Sequence, residues 1–238
     1  ALGNIVGSNM SNFGLVLASA CFLCWYRYGR TIMPAPGVIT DSQVMLAFAF
    51  LLYGVALDGI VARSEGALLL LLYFAYVAWL FRRPADDTAE PESEGSLLRL
   101  SIGVVGLLIG AHLTIEGAVS LAAGAGIPEL VIGLTVVAVG TSLPELAGSL
   151  TAARKGFHDI AVANVIGSNI ANIGLVMGIL ALVSPVSVGG YVIAQTLPLL
   201  LLATIAALGL VRLPMGRVAG AVLAGFFLLF LFELLESL

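Results

Sequence analysis

The chain has 238 residues, of which 60% are hydrophobic and only 10% charged, and its mean hydropathy is +1.11. A soluble domain of this size could not withdraw that much apolar surface from water, so the composition describes an all-α polytopic membrane protein. The net charge of −4 is small and no basic patch is visible along the sequence, which leaves nothing for nucleic acid to hold.

Runs of about 20 apolar residues recur along the whole length. They predict eight spans, at roughly 5–26, 43–61, 65–81, 97–121, 128–153, 159–183, 189–211 and 216–235. Cys21 and Cys24 form a C-x-x-C inside the first span, with no strand nearby, and read as incidental thiols rather than a redox or zinc site. Residues 82–96, "RRPADDTAEPESEGS", are acidic, carry two prolines and lack large apolar residues, which predicts a flexible linker. It divides the chain into a three-span part, 1–81, and a five-span part, 97–238. A solvated linker is the plain reading of Asp86, Asp87, Glu90, Glu92 and Glu94, because their spacing lacks the pattern of a calcium-binding loop.

With eight alternating spans, nine of the ten Lys and Arg residues fall on one side and only Arg63 on the other. That bias places the 82–96 linker in the cytoplasm and the carboxyl end, with Glu233 and Glu236, outside a cell membrane. Asp58, Arg63 and Glu65 cluster at the external end of two spans, where a surface salt-bridge cluster is expected.

The chain also repeats itself. "NIVGSNMSNFGLV" at 4–16 returns as "NVIGSNIANIGLV" at 164–176, and an offset of 160 residues gives nine identities in the first twenty positions. These identities concentrate in Asn, Ser and Gly, whereas chance matches between apolar helices would concentrate in Leu, Val and Ala. The copies sit in the first and sixth spans, so they cross the membrane in opposite directions. Inverted repeats are typical of secondary transporters, with a substrate site near the midplane. Asn4, Ser8 and Asn12 share one helix face by their spacing, as do Asn164, Ser168 and Asn172, and a polar stripe in hydrocarbon must face protein or water.

The fifth span contains "AVGTSLPELAGS", residues 138–149. Pro144 has no N–H for the carbonyl of Gly140 and its ring crowds that carbonyl, which predicts a break. Carbonyls near Ala138 to Gly140 can then turn to a cavity, Thr141 and Ser142 add hydroxyls, and Glu145 adds a carboxylate. With the amide oxygens of the Asn stripe these are hard oxygen donors, suited to Ca²⁺ or Na⁺.

"GTSLPE" at 140–145 followed by "NVIGSNIANIGLV" resembles the second α-repeat of the calcium/cation antiporter (sodium/calcium exchanger) superfamily, and "GNIVGSNMSN" at 3–12 resembles the end of the first. "LDGIVARSEG" at 57–66 is similar to a segment between two helices of the prokaryotic members. The resemblance implies an inverted-repeat fold of ten helices in a five-plus-five arrangement. By the 160-residue offset, the acidic motif of the first repeat would lie before Ala1. The first two helices are therefore expected to be absent here and needed to complete the site, and an eight-helix chain is expected not to transport alone. The resemblance further implies that Thr141, Ser142 and Glu145, the carbonyl of Ala138, Ser168 and Asn172, and Ser8 and Asn12 hold the transported ions. Several sodium/calcium exchangers carry Asp at the position of Asn172. With amides at both Asn12 and Asn172, and the missing Glu restored, the site would balance one Ca²⁺ and leave the counter-ion, Na⁺ or H⁺, open.

The expected function is alternating-access exchange of Ca²⁺ for Na⁺, with a proton-coupled cation antiporter as the alternative and no cofactor. A passive channel is opposed by the inversion of the repeat. A remote alternative, an intramembrane serine protease built on Ser142, requires a His within reach. His112 and Glu116, four residues apart, could form a gating pair, although a buried hydrogen-bonded pair is the plainer reading.

Overall fold

The computed structural model describes residues 2–83, 97–126 and 138–236. Among the described residues seven helices are long and apolar enough to cross a membrane: α1 (Leu2–Tyr28), α2 (Pro36–Ala56), α3 (Arg63–Arg82), α4, which runs Leu97–Gly124, α7 (His158–Val183), α8 (Val192–Leu210) and α9 (Arg217–Glu236). Within the predicted fifth span the described residues form α5 (Ala138–Gly140) and α6 (Leu143–Arg154), with a break at residues 141–142. Two strands of two residues each, β1 (Ile60–Val61) and β2 (Val186–Ser187), pair antiparallel with Ile60 opposite Ser187. The linker 84–96 and the start of the predicted fifth span lie outside the described residues.

Local chemistry explains where the helices stop and start. α1 closes on Gly29, whose left-handed φ of 61° lets its N–H reach the Trp25 carbonyl. α2 opens on Pro36, which needs no intrahelical donor there. At the start of α3 the Glu65 carboxylate accepts the Ala62 N–H at 2.7 Å. Gly156, at φ 87°, allows the tight reversal from α6 to α7.

α1 and α7 form the centre. α1 packs on α6, α7, α8 and α9, and α7 packs on α2 and α3, whereas α4 touches chiefly α5 and α6. α1 is the most buried span and α4 the least. α1 and α7 run in opposite directions, because Tyr28, at the end of α1, donates to the carbonyl of Arg154, just before α7 begins. Each helix widens into a π-turn, at Asn12–Leu17 and Asn172–Met177, 160 residues apart. Gly14 and Gly174 sit in these turns. A Cβ on Gly14 would strike Phe227, and one on Gly174 would come within 2.8 Å of Phe48 and Tyr73.

The two ends of the bundle differ. One end gathers the α1–α2 and α8–α9 connections, bridged at Ile32 and Met215, together with the α6–α7 turn. The other carries β1, β2 and the hydrogen bond from Tyr191 to the Glu233 carbonyl.

Three expectations need correction. α2 begins at Pro36 rather than near 43; its first turns carry Asp41, which meets Arg83 at the end of α3 at 3.1 Å. Asp58, Arg63 and Glu65 form no mutual ion pair among the described residues. Instead Asp58 accepts the Ile60 N–H, Glu65 caps α3, and Arg63 donates to the Val183 carbonyl. His112 and Glu116 do meet at 3.3 Å, but with side chains 70% and 63% exposed they are not a buried pair, since little packs over α4.

Candidate ion-binding site

The two copies of the repeat meet in a reciprocal hydrogen-bond network. Asn12 Nδ2 donates to Asn169 Oδ1 at 2.9 Å, and Asn172 Nδ2 donates to Asn9 Oδ1 at 2.8 Å. Asn9 Nδ2 donates to the Asn169 carbonyl and Asn169 Nδ2 to the Asn9 carbonyl, both at 3.5 Å. Exchanging Asn9 with Asn169 and Asn12 with Asn172, each 160 residues apart, turns either half of this set into the other.

The network fixes which atoms face outward. A backbone carbonyl only accepts, so the ends of Asn9 and Asn169 that touch one must be the NH₂ groups. Their Oδ1 atoms are then acceptors, which draws in the Nδ2 groups of Asn172 and Asn12. The oxygens of Asn12 and Asn172 are left for something else, and Asn12 Oδ1 is buried without a hydrogen-bond partner. A buried acceptor without a donor is costly unless a ligand serves it.

The broken span supplies the opposite wall. Ser142 separates α5 from α6, and Pro144 lies in the first turn of α6. Thr141 Oγ1 and Ser8 Oγ are 2.9 Å apart, and Ser142 Oγ donates to the Ser8 carbonyl at 3.4 Å. Glu145 lies in the first turn of α6, where the helix dipole favours a negative charge, and its Oε2 is buried without a hydrogen-bond partner. Ser168 lies beside its carboxyl group.

The predicted residues thus divide. Ser8, Asn12, Thr141, Ser142, Glu145, Ser168 and Asn172 lie on α1, on α7, and at and just after the break, elements that pack together. Ala138 opens α5, on the same broken span. Asn164 does something different: its Nδ2 donates to the Glu145 carbonyl at 3.3 Å and to Ser149 Oγ at 3.0 Å, tying α6 to α7. Its counterpart Asn4 is exposed. Asn9, Asn169 and Ser149 hydrogen-bond to the candidate-site elements and were missed by the stripe argument, although Asn9 and Asn169 were legible among the identities at offset 160.

No cluster of three His, Cys, Asp or Glu side chains occurs among the described residues. A cation held here would be held by one carboxylate with hydroxyl and amide oxygens, a set fit for a hard ion. Ser142 donates to a backbone carbonyl rather than to an imidazole, which removes the basis for a serine nucleophile.

Antiparallel copies of one motif, interlocked around a broken helix, define an ion transporter of the inverted-repeat class rather than an enzyme. The family described as "Sodium/calcium exchanger protein" matches residues 1–82 and 95–235, and the chain belongs to it. A structure of the sodium-calcium exchanger NCX_Mj soaked with 2.5 mM Na⁺ and 0.1 mM Ca²⁺ superposes with a TM-score of 0.81 at 30% identity, over 96% of this chain and 74% of that one. The sodium/calcium exchanger MaX1 of Methanosarcina acetivorans is 31% identical over 84% of this chain and 69% of its own length. The uncharacterized membrane protein MJ0091 of Methanocaldococcus jannaschii is 31% identical over 73% of this chain, which spans 57% of that relative.

Proposed function

We propose that the protein is a secondary antiporter that exchanges Ca²⁺ for Na⁺ by alternating access, at a midplane site formed by Ser8, Asn12, Ala138, Thr141, Ser142, Glu145, Ser168 and Asn172. The reading rests on one observation above all. The Asn network turns acceptor oxygens away from their own partners, and Asn12 Oδ1 and Glu145 Oε2 are both buried without a hydrogen bond. The two parts 1–81 and 97–238 act as inverted halves around this site. The Arg-rich end, with the linker, faces the cytoplasm of a cell membrane, and the carboxyl end faces outside.

A cation or proton neutralises Glu145, and the protein can then pass between inward-open and outward-open forms. Empty, it would carry an uncompensated carboxylate through a low-dielectric state, at a cost of several kcal/mol. That difference couples the two ions and suppresses leak. H⁺ remains the alternative counter-ion because Asn12 and Asn172 are neutral amides, so Glu145 is the carboxylate the described residues supply to the site.

The test is ⁴⁵Ca²⁺ uptake into proteoliposomes carrying the protein together with the two further helices that the family resemblance implies, under an outward Na⁺ gradient and then under a pH gradient, with Glu145→Gln alongside. Na⁺-driven uptake that Glu145→Gln abolishes is expected. Uptake driven only by the pH gradient would transfer the reading to proton coupling. Equal behaviour of parent and Glu145→Gln under both gradients would end the proposal.

A further inference from the structure

The sequence shows no basic patch, yet the fold builds one. Arg30 follows α1, and Arg154 and Lys155 end α6, 124 and 125 residues later. Together with Tyr28, Gly156 and His158 they line a cavity of about 190 Å³ at the Arg-rich end of the bundle. At about 30 Å³ per water it has room for roughly six waters, enough for a phosphate group and too little for a whole lipid.

The walls are rigid rather than loop-like. The Tyr28 hydroxyl donates to the Arg154 carbonyl at 3.2 Å, locking the end of α1 to the end of α6. His158 turns Nδ1 to Cys24 Sγ at 3.4 Å, joining the start of α7 to α1. Three helix ends therefore hold the cavity open.

Among the described residues nothing compensates its charge. Elsewhere at this end Arg83 pairs with Asp41 and lies 3.9 Å over the Trp79 ring, and Arg217 stands 5.4 Å over Trp25. Arg30, Arg154 and Lys155 make no ion pair among the described residues, and no carboxylate lines the cavity. A general excess of positive charge on one side of a membrane protein requires no cavity and leaves cations scattered in water. Three cations converging on one small concave site is a different arrangement.

The depth and the flanks select the ligand. The site lies where α1 and α6 end and α7 begins, the level at which lipid headgroups would surround these spans. Phe157, between the lining residues Gly156 and His158, is 46% exposed, which supplies an apolar border for glycerol and acyl carbons. We propose that this cavity binds the phosphodiester headgroup of an anionic phospholipid, with Arg30 and Arg154 forking onto phosphate oxygens and Lys155 adding a point charge. Because the lipid would bridge α1, α6 and α7, which also carry the candidate ion site, its occupancy would stiffen that site from below.

The test is native mass spectrometry of the detergent-solubilised protein, titrated with phosphatidylglycerol or phosphatidylcholine. Arg30→Gln and Lys155→Gln are the cavity variants, and Arg212→Gln is a control at the same end but outside the cavity. The parent is expected to retain phosphatidylglycerol in preference to phosphatidylcholine. Each cavity variant should lose about fivefold of that preference, the value of one interfacial cation, and Arg212→Gln should lose none. Thermal midpoints in neutral detergent keep the comparison to folded protein, and the two cavity variants are independent of one another. Equal loss in Arg212→Gln and the cavity variants would reduce the effect to general surface charge and overturn the proposal. Displacement of phosphatidylglycerol by an equal concentration of inorganic phosphate would also overturn it, by making the cavity a site for a free anion.

Discussion

Asn9 and Asn169 hold the candidate ligands Asn172 and Asn12 without being candidates themselves. Each is 1% exposed and spends its Oδ1 on the amide of a residue that faces the site, Asn172 or Asn12. Replacing Asn169 with Ala leaves the Asn12 NH₂ buried without its acceptor and frees that amide to rotate. A cost of about 1–3 kcal/mol is expected. Asn9→Ala should cost about the same, because the symmetric bond to Asn172 is lost. Asn4→Ala, at an exposed position, should cost almost nothing. Unfolding in detergent without Ca²⁺ measures all three, and a harmless Asn169→Ala would show that the network does not hold the helices together. The stripe at positions 4, 8 and 12 was readable from helical periodicity, but which amide pairs with which was not. Asn9 lies about 100° round the helix from Ser8, and only the crossing of α1 with α7 makes it the partner of a residue more than 160 positions away.

The glycines distinguish close helix crossings from open faces. A Cβ added to Gly66 in α3 would lie 2.7 Å from the Leu182 nitrogen and 2.8 Å from the Gly178 carbonyl oxygen in α7. Both are backbone atoms and cannot rotate away, so the helices must separate. Gly66→Ala is expected to destabilise by about 1–3 kcal/mol through overpacking. Gly54 in α2 has nothing within 4 Å of its added Cβ, and Gly54→Ala should be neutral or gain up to about 1 kcal/mol from helix propensity. Thermal unfolding of the two variants checks the contrast, which composition alone cannot make because both glycines sit in apolar runs. Hydropathy found the spans because lipid and core both select apolar residues. It started α2 near 43 rather than at Pro36 because the turns before 43 carry Pro36, Gly37, Thr40, Asp41 and Ser42. There Ser42 returns its hydroxyl to the Val38 carbonyl at 2.8 Å and Asp41 meets Arg83. Polar groups satisfied within a helix or by its neighbour carry no mark in a hydropathy profile.

Across the whole molecule, charge and topology make a joint prediction. The structure brings Arg27, Arg30, Arg154, Lys155, Arg212 and Arg217 to the end where Ile32 bridges Met215, and places Arg63 at the end of the β1–β2 ribbon. Short loops carrying most of the Lys and Arg stay on the cytoplasmic side during insertion. Leu213, 58% exposed between α8 and α9, should therefore be cytoplasmic, and Gly189, open on all sides before α8, should be external. The native thiols Cys21 and Cys24 are fully buried and free, so a single introduced cysteine can be read against a silent background. In intact cells a membrane-impermeant maleimide should label Gly189→Cys and spare Leu213→Cys, and permeabilisation should expose both. Labelling of Leu213→Cys alone in intact cells would invert the topology, and with it the assignment of the anion-binding cavity to the inner leaflet. Equal labelling of both in intact cells would mean that the chain inserts in two orientations. The inverted repeat could tolerate that at the midplane, but the one-sided cavity could not.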